Sequence, residues 1–305
     1  MGFFDPHSGA AASTFLVLYT LLCGGAIFTV VRKGWKSTYT LLLFFCMIRM
    51  GAQLCAVAFA SLGYEHYEWL IAYLVLGAEG YFTLILSSFY FQAYAEYITF
   101  GRSDLKPTKD QLEREYSTPR ERRYARFTSP SAIFHWLMIP ANAIIIAGGT
   151  QLSGVVPGDP DYESKYKTSK GMRSTGQALF LFLVAVSGAT NLWLIFKKRV
   201  RIYMVYATLI AWVPLFARGV FGLLSCFLDS LNYFDISNYT ADGISTKFIV
   251  CEYVLGATME FIGAALLLST YFIKNPYKRS LSHYTDIEFT GTAKNESSTN
   301  SKSLN

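Results

Sequence analysis

The sequence predicts an all-α membrane protein, a seven-transmembrane helix bundle with its N-terminus outside. Of its 305 residues, 52% are hydrophobic and only 16% are charged, and the mean hydropathy is +0.29, a balance outside that of a soluble domain. A helix needs about 20 apolar residues to cross a bilayer core of about 30 Å. Runs of this length occur at about residues 10–31, 38–62, 69–92, 131–152, 175–196, 202–227 and 248–273.

The distribution of basic residues predicts the orientation. The segments that follow the first, third, fifth and seventh runs hold 20 Lys and Arg, whereas the alternate segments hold 5. The positive-inside rule therefore places the N-terminus outside and the C-terminal tail in the cytoplasm. The net charge of +6 is then mostly a cytoplasmic, membrane-facing surface rather than a nucleic-acid site. Residues 1–273 form the predicted transmembrane domain, and the polar residues 274–305 a disordered cytoplasmic tail.

The second predicted helix carries an arginine near its midpoint. Arg49 shares one helical face with Gln53 and with small residues such as Ala56. Small residues at this spacing allow close helix contacts in lipid, so we expect Arg49 to point into the bundle.

The third predicted helix carries Glu79 in the middle of its apolar run. Thr83 and Ser87 follow on the same face, and Tyr90 and Tyr94 continue it toward the cytoplasmic end. Two interpretations stay open. Either these polar groups form a wetted track along the bundle axis, or the hydroxyls bond carbonyls of their own helix and the tyrosines lie at the membrane interface.

The longest predicted cytoplasmic segment runs from about residue 101 to 130. A Thr-x-x-Gln capping pattern at Thr108 predicts a short surface helix there. Its basic and aromatic composition suits an anionic lipid surface, a cytoplasmic protein partner or simply a solvated loop. The candidate partner-binding residues are Arg120, Arg122, Arg123 and Arg126.

The sixth and seventh predicted helices supply further charges. Arg218 lies in the sixth, whereas Glu252 and Glu260 lie in the seventh, Glu252 nearer the outer surface. The outer loop between them contains Asn238-Tyr-Thr, a glycosylation sequon on the side predicted to be outside.

The four deepest charges are expected to pair. Each costs about 2.5 to 3.5 kcal/mol at the centre of a membrane helix. Similar depth on consecutive helices predicts that Arg49 pairs with Glu79, and Arg218 with Glu260 or Glu252. These pairs either fix the helix packing and bind nothing, or form part of a site in which arginines hold a carboxylate or phosphate head group.

An internal repeat is a further prediction. Glu79 precedes Tyr90-Phe91 by the same spacing with which Glu260 precedes Tyr271-Phe272. Helices one to three and five to seven both begin outside, which indicates a 3+1+3 parallel internal repeat. Such repeats often place a transporter's site at the midplane. The alternative is chance, since membrane helices draw on few residue types.

Several function classes are disfavoured. The seventh helix contains no lysine for a retinal Schiff base, and Ala95-Glu96-Tyr97 stands where rhodopsin-like receptors have their acid-Arg-aromatic triplet. The sequence contains no nucleotide loop, zinc cluster or nucleophile elbow, so we expect no cofactor, no metal and no enzymatic activity. Glu79 and Glu260 are poor candidates for an acid and a base because neighbouring arginines favour their ionised forms.

Four short motifs resemble a known group of proteins. They are Arg32-Lys-Gly-Trp, the IRMGAQ stretch around Arg49, Pro214-Leu-Phe-Ala-Arg218 and Met259-Glu260-Phe-Ile. Together they resemble fungal seven-transmembrane proteins of unknown function, similar in layout to RTA-like lipid-translocating exporters. The resemblance implies a fungal multi-pass protein. The predicted location is the plasma membrane or an endomembrane, in contact with membrane lipids. The resemblance also implies movement or sensing of an amphiphile, with Arg49, Glu79, Arg218 and Glu260 as candidates.

Three functions therefore remain open. The first is transport or export of a small amphiphilic or lipid-like molecule. The second is a receptor or sensor that signals through the basic segment around Arg120 to Arg126, and the third is a structural membrane protein.

Overall fold

The computed structural model describes residues 4–152, 160–240 and 243–273. Seven of its helices are long and apolar enough to cross a membrane, so all seven predicted spans are confirmed and the protein is a multi-pass membrane protein. The predicted disordered tail, 274–305, lies outside the described residues. The helices are α1 (Pro6–Lys33), α2 (Tyr39–Leu62), α3 (Glu68–Phe100), α4 (Lys109–Glu115), α5 (Pro119–Phe127), α6 (Pro130–Thr150), α7 (Tyr162–Phe196), α8 (Tyr203–Leu224), α9 (Thr246–Cys251) and α10 (Met259–Phe272).

The seventh membrane helix is not a uniform α-helix. A π-helical segment, Glu252–Thr258, joins α9 to α10 without a break. Short π-helical segments inside α-helices occur frequently at functional sites. Hydropathy carries no signal for such a segment, and the sequence analysis did not predict it.

Two membrane helices extend well beyond the runs predicted for them. Helix α3 continues past residue 92 to Phe100, and α7 begins at Tyr162 rather than near residue 175. The reason is that an apolar run marks only the part of a helix that lies in lipid, whereas the backbone continues its hydrogen bonding into water. The outer turns of α7 therefore carry polar residues that the sequence analysis assigned to a loop.

Short helices cover the cytoplasmic end. The Thr108 side chain accepts a hydrogen bond from the Gln111 backbone at the start of α4, which confirms the predicted capping pattern. Helix α5 begins with a complete capping box between Thr118 and Glu121. The predicted basic loop thus contains two short helices, of seven and nine residues, and the sequence analysis predicted the first of them.

The outer end is fastened by Asp5. Its carboxylate caps α1 by accepting a hydrogen bond from Ser8 N (3.0 Å), and it accepts another from Ile244 N (2.9 Å). Ile244 belongs to a two-stranded hairpin, β1 (Tyr239–Thr240) and β2 (Gly243–Ile244). Gly243 has a φ of +121°, and a Cβ there would lie 2.6 Å from Asp5 Cγ, so only glycine fits.

Helix α3 is the centre of the bundle. It packs against α2, α6, α7, α8 and α10. Its cytoplasmic half is filled by aromatic contacts, such as Phe89 stacked on Phe134 with ring centroids 4.3 Å apart and Phe91 edge-on to Tyr39 at 5.0 Å. The inner half is therefore a dense core, which also contains buried hydrogen bonds from Gln92 to Ser187 (2.7 Å) and from Thr208 to Asn191 (2.9 Å).

Candidate functional site: an arginine-lined cavity

One buried carboxylate serves two arginines at the middle of the bundle. Glu260 on α10 is fully buried, and its Oε2 accepts from both Nε and Nη2 of Arg49 on α2. Its other oxygen, Oε1, accepts from Nε of Arg218 on α8 at 2.9 Å. The cluster therefore holds two positive charges and one negative charge, and three helices meet at it.

Two glycines of α3 allow Arg49 to reach this carboxylate. A Cβ at Gly80 would lie 3.0 Å from Arg49 Cδ and Nε, and a Cβ at Gly77 would lie 3.6 Å from Arg49 Nη1. These glycines leave a groove on α3 along which the arginine side chain passes toward α10.

The predicted pair between Arg49 and Glu79 is wrong. The predicted pairing of Arg218 with Glu260 or Glu252 is confirmed, and its partner is Glu260. Glu79 Oε1 instead accepts from Asn142 Nδ2 on α6 at 2.7 Å. Glu79 and Gly80 are adjacent, so they project about 100° apart on α3, and the face that meets Arg49 is the glycine face. The repeat would pair each arginine with the acid of its own three-helix set, but both arginines pair with Glu260. The ion pairs therefore do not follow the 3+1+3 repeat, which stays a prediction.

Two hydroxyl groups on the polar face of α3 form hydrogen bonds within their own helix. Thr83 donates to the Glu79 carbonyl (2.8 Å) and Ser87 donates to the Thr83 carbonyl (2.7 Å). Both side chains are buried, which favours local hydrogen bonding over a wetted track. Gln53, also predicted as a site residue, is buried on α2, and neither of its polar side-chain atoms has a partner among the described residues.

A cavity of about 120 Å³ lies in the outer half of the bundle, next to the charge cluster. Helices α3 and α6 form an apolar wall, and α7, α8 and the π-helical segment form a polar one. The apolar wall includes Ile71, Leu74, Val75, Ile145 and Ile146. The polar wall includes Arg173, Gln177, Arg218, Ser225 and Glu252, and Arg49 also lines the cavity.

Glu252 supplies the cavity's negative charge. It is 9% exposed and accepts a hydrogen bond from the Tyr73 hydroxyl at 3.2 Å. It begins the π-helical segment, and its carboxylate contacts the position where Gly256 lacks a side chain. The sequence analysis placed Glu252 nearer the outer surface than Glu260, and the structure places it in the wall of the outer cavity.

Arg173 is a cavity residue that the sequence analysis missed. It lies inside α7, only 8% exposed, although the position of the apolar run assigned it to an outer loop. Its Nη1 donates to Asn232 Oδ1 at 3.1 Å, and its guanidinium lies 4.2 Å from the centre of the Phe234 ring. Its Nε and Nη2 have no hydrogen-bond partner among residues 4–152, 160–240 and 243–273.

The predicted glycosylation site has a structural obstacle. Asn238 is buried, and its Nδ2 donates to the carbonyls of Asp229 (2.6 Å) and Asn232 (2.9 Å). Both amide hydrogens are therefore used inside the loop. A glycan on Nδ2 would replace one of them, so this loop conformation disfavours the predicted modification.

The four arginines predicted as a cytoplasmic surface divide into two kinds. Arg122 donates to the carbonyls of Tyr116 (2.9 Å) and Ser117 (3.1 Å), so it holds α4 and α5 together. The exposed members, which follow one another at intervals of three on α5, are Arg120, Arg123 and Arg126.

A buried acid also anchors this cytoplasmic segment. Glu96, near the end of α3, accepts from Ser103 Oγ (2.8 Å), Asp104 N (3.0 Å) and Leu105 N (3.1 Å), and it pairs with Lys198 just after α7. Although burial opposes the charge of Lys198, the hydrogen bonds that it donates to Asp104 and Glu96 raise its pKa. The inner ends of α3 and α7 are thus tied together where the basic helices begin.

Comparison of the chain with protein-family models, with curated proteins and with solved structures finds no match. The functional argument therefore depends on the geometry of the cavity and its charges.

Proposed function

We propose that this protein transports a small amphiphilic or lipid-like molecule across its membrane. The observation that supports the proposal is the two-sided lining of the outer cavity, apolar along α3 and α6 and basic along α7 and α8. An amphiphile complements both walls at once, because its tail removes apolar surface from water and its head group meets hydrogen-bond donors.

The charge count at the cavity floor supports an anionic cargo. Three arginines line the cavity, and they face two acids, Glu252 in the wall and Glu260 at the floor, so one positive charge is in excess. A monoanion that approaches Arg218 neutralises that excess, while Arg49 stays paired with Glu260. The anion can therefore replace Glu260 as the partner of Arg218 while Glu260 stays paired with Arg49. No charge is then left unpaired at the depth where an unpaired charge is most costly.

The position of the cavity also suits a carrier. It ends at the charge cluster, and aromatic packing around Phe89 and Phe91 fills the bundle on the cytoplasmic side. Release to that side requires the helices to move apart around the fixed site, as alternating access does.

Flux measurements in proteoliposomes test the proposal. The probe is a short-chain phosphatidic acid with a nitrobenzoxadiazole fluorophore, and dithionite added outside bleaches only the probe it can reach. Wild-type vesicles are expected to lose protected fluorescence faster than protein-free vesicles. Arg218→Met is expected to abolish this loss, whereas Arg122→Met, a cytoplasmic control, is expected to retain it. Equal bleaching by wild-type and protein-free vesicles contradicts transport.

A receptor is the second candidate, favoured by the Glu96 and Lys198 contact. This contact couples the inner ends of α3 and α7 to the start of the basic segment. The outer parts of the same two helices line the cavity. A receptor predicts that the probe changes the rate at which trypsin cleaves α5 at Arg120 and Arg123, with no flux. Flux with an unchanged cleavage rate excludes this alternative.

A further inference from the structure

We infer that Arg173, with Gln177 one turn away, binds a phosphate monoester head group at the outer end of the cavity. The inference rests on the proposed function, since it specifies the head group of the amphiphile.

The first step is the state of Arg173. The residue is 8% exposed and lines the cavity, yet no acid lies within ion-pair distance among the described residues. Nε and Nη2 form one edge of the guanidinium, and this edge is the fork that binds two oxygens of a carboxylate or phosphate in parallel. The two nitrogens without partners are therefore the pair that a bidentate anion needs.

The second step is the rigidity of that fork. Asn232 accepts from Arg173 Nη1 and from Phe234 N, each at 3.1 Å, while it donates to the Tyr166 hydroxyl at 3.0 Å. The Phe234 ring packs against the face of the guanidinium. The hydrogen bond and the ring hold the arginine in place, so a ligand does not have to order it on binding.

The third step separates phosphate from carboxylate. Gln177 Oε1 is a buried acceptor without a partner among the described residues. It lies beside Arg218, since a Cβ at Gly222 would be 2.6 Å from Gln177 Oε1 and 3.1 Å from Arg218 Nη1. A hydrogen phosphate ester offers oxygens to the two arginines and a hydroxyl to Gln177, whereas a carboxylate has no hydroxyl to donate.

Binding in phosphatidylcholine nanodiscs tests the inference, with the thermal midpoint of unfolding followed against probe concentration. The probes are dodecyl phosphate, dodecanoate, dodecanol and inorganic phosphate. Wild-type protein is expected to bind dodecyl phosphate most tightly and dodecanol most weakly. Arg173→Gln is expected to weaken dodecyl phosphate binding about tenfold to a hundredfold, the effect of losing charge-assisted hydrogen bonds.

Matched variants keep the test clear. Lys167→Gln removes a charge from an exposed position of the same helix and is expected to bind as wild type does. Arg173→Lys keeps the charge without the fork and is expected to fall between wild type and Arg173→Gln. Gly222→Ala places a methyl group against Gln177 Oε1, so it tests the contact between Gln177 and the head group without changing any charge.

Four results overturn the inference: unchanged dodecyl phosphate binding by Arg173→Gln, or binding of dodecanol, of dodecanoate or of free phosphate as tight as that of dodecyl phosphate. Its failure is distinguishable from failure of the proposed function. Binding that depends on Arg173 without flux contradicts transport alone, and flux that Arg173→Gln leaves unchanged contradicts the head-group site alone.

Discussion

Replacing Glu260 by Gln is expected to destabilise the protein more than any other single change in the membrane. The substitution keeps the shape of the side chain but leaves Arg49 and Arg218 without their shared carboxylate. Removing one partner of a buried ion pair costs about 3 to 5 kcal/mol. Here two guanidiniums are left unpaired, so we expect a loss at the upper end of that range.

Three comparison variants test the reasoning rather than only the residue. Arg49→Met and Arg218→Met each leave Glu260 with the other arginine, so each is expected to cost about 1.5 to 3 kcal/mol, as loss of a hydrogen bond to a charged group does. Glu79→Gln makes the same chemical change as Glu260→Gln, but Asn142 Nδ2 keeps its acceptor. We expect it to cost about 1 kcal/mol or less.

The assay is reversible unfolding in mixed micelles by titration with sodium dodecyl sulfate, which gives the free energy of unfolding for each variant. Equal losses for Glu260→Gln and Glu79→Gln would show that the shared carboxylate does not organise the bundle. Arginine variants as damaging as Glu260→Gln would show that the remaining arginine does not compensate Glu260, so that the three charges act as one unit.

Three further predictions concern other parts of the chain. Gly176→Ala is expected to lower the free energy of unfolding by about 1 to 3 kcal/mol, because a Cβ there would lie 2.4 Å from Ile145 and 2.8 Å from the Ala141 carbonyl; Gly171→Ala, with nothing within 4 Å on the same helix, is the control and should not destabilise. Burial first and then the charge of Arg126 lower the pKa of Lys106 from 10.5 to about 8. The unfolded chain therefore binds more protons at Lys106 than the folded chain does between pH 8 and 10.5, so the free energy of unfolding should rise with pH across that window. In Lys106→Met this rise should be smaller, because the titrating group is absent. Asn238 is expected to carry no glycan. Treatment of protein from a eukaryotic host with an N-glycosidase should therefore leave its gel mobility unchanged. The prediction is contradicted if the untreated protein migrates more slowly than Asn238→Gln and treatment removes the difference.

The seven spans could be predicted because a bilayer demands long apolar runs, and the helices follow those runs closely at most ends. The partner of Arg49 could not be predicted from the sequence. Depth along a helix follows from spacing, but which neighbour a side chain meets depends on rotation and packing, and the glycine groove at Gly77 and Gly80 directs Arg49 past α3 to Glu260. The role of Arg173 was hidden for a different reason. It lies just before the apolar part of α7, where hydropathy does not distinguish a buried helical residue from a loop residue.

The π-helical segment sets the angular relation between the two acids of the seventh membrane helix. In a straight α-helix, residues eight apart differ by about 80° in direction, since each residue turns the chain by about 100°. One residue accommodated in a π-helical turn removes one such step and leaves Glu252 and Glu260 about 20° apart. Both acids can then face the arginines from one side of the helix. The direction of these charges thus depends on the backbone as well as on residue identity. Straightening the segment at its present length would separate the two acids by about 80°, whereas deleting one residue along with the π-helical turn would leave them about 20° apart.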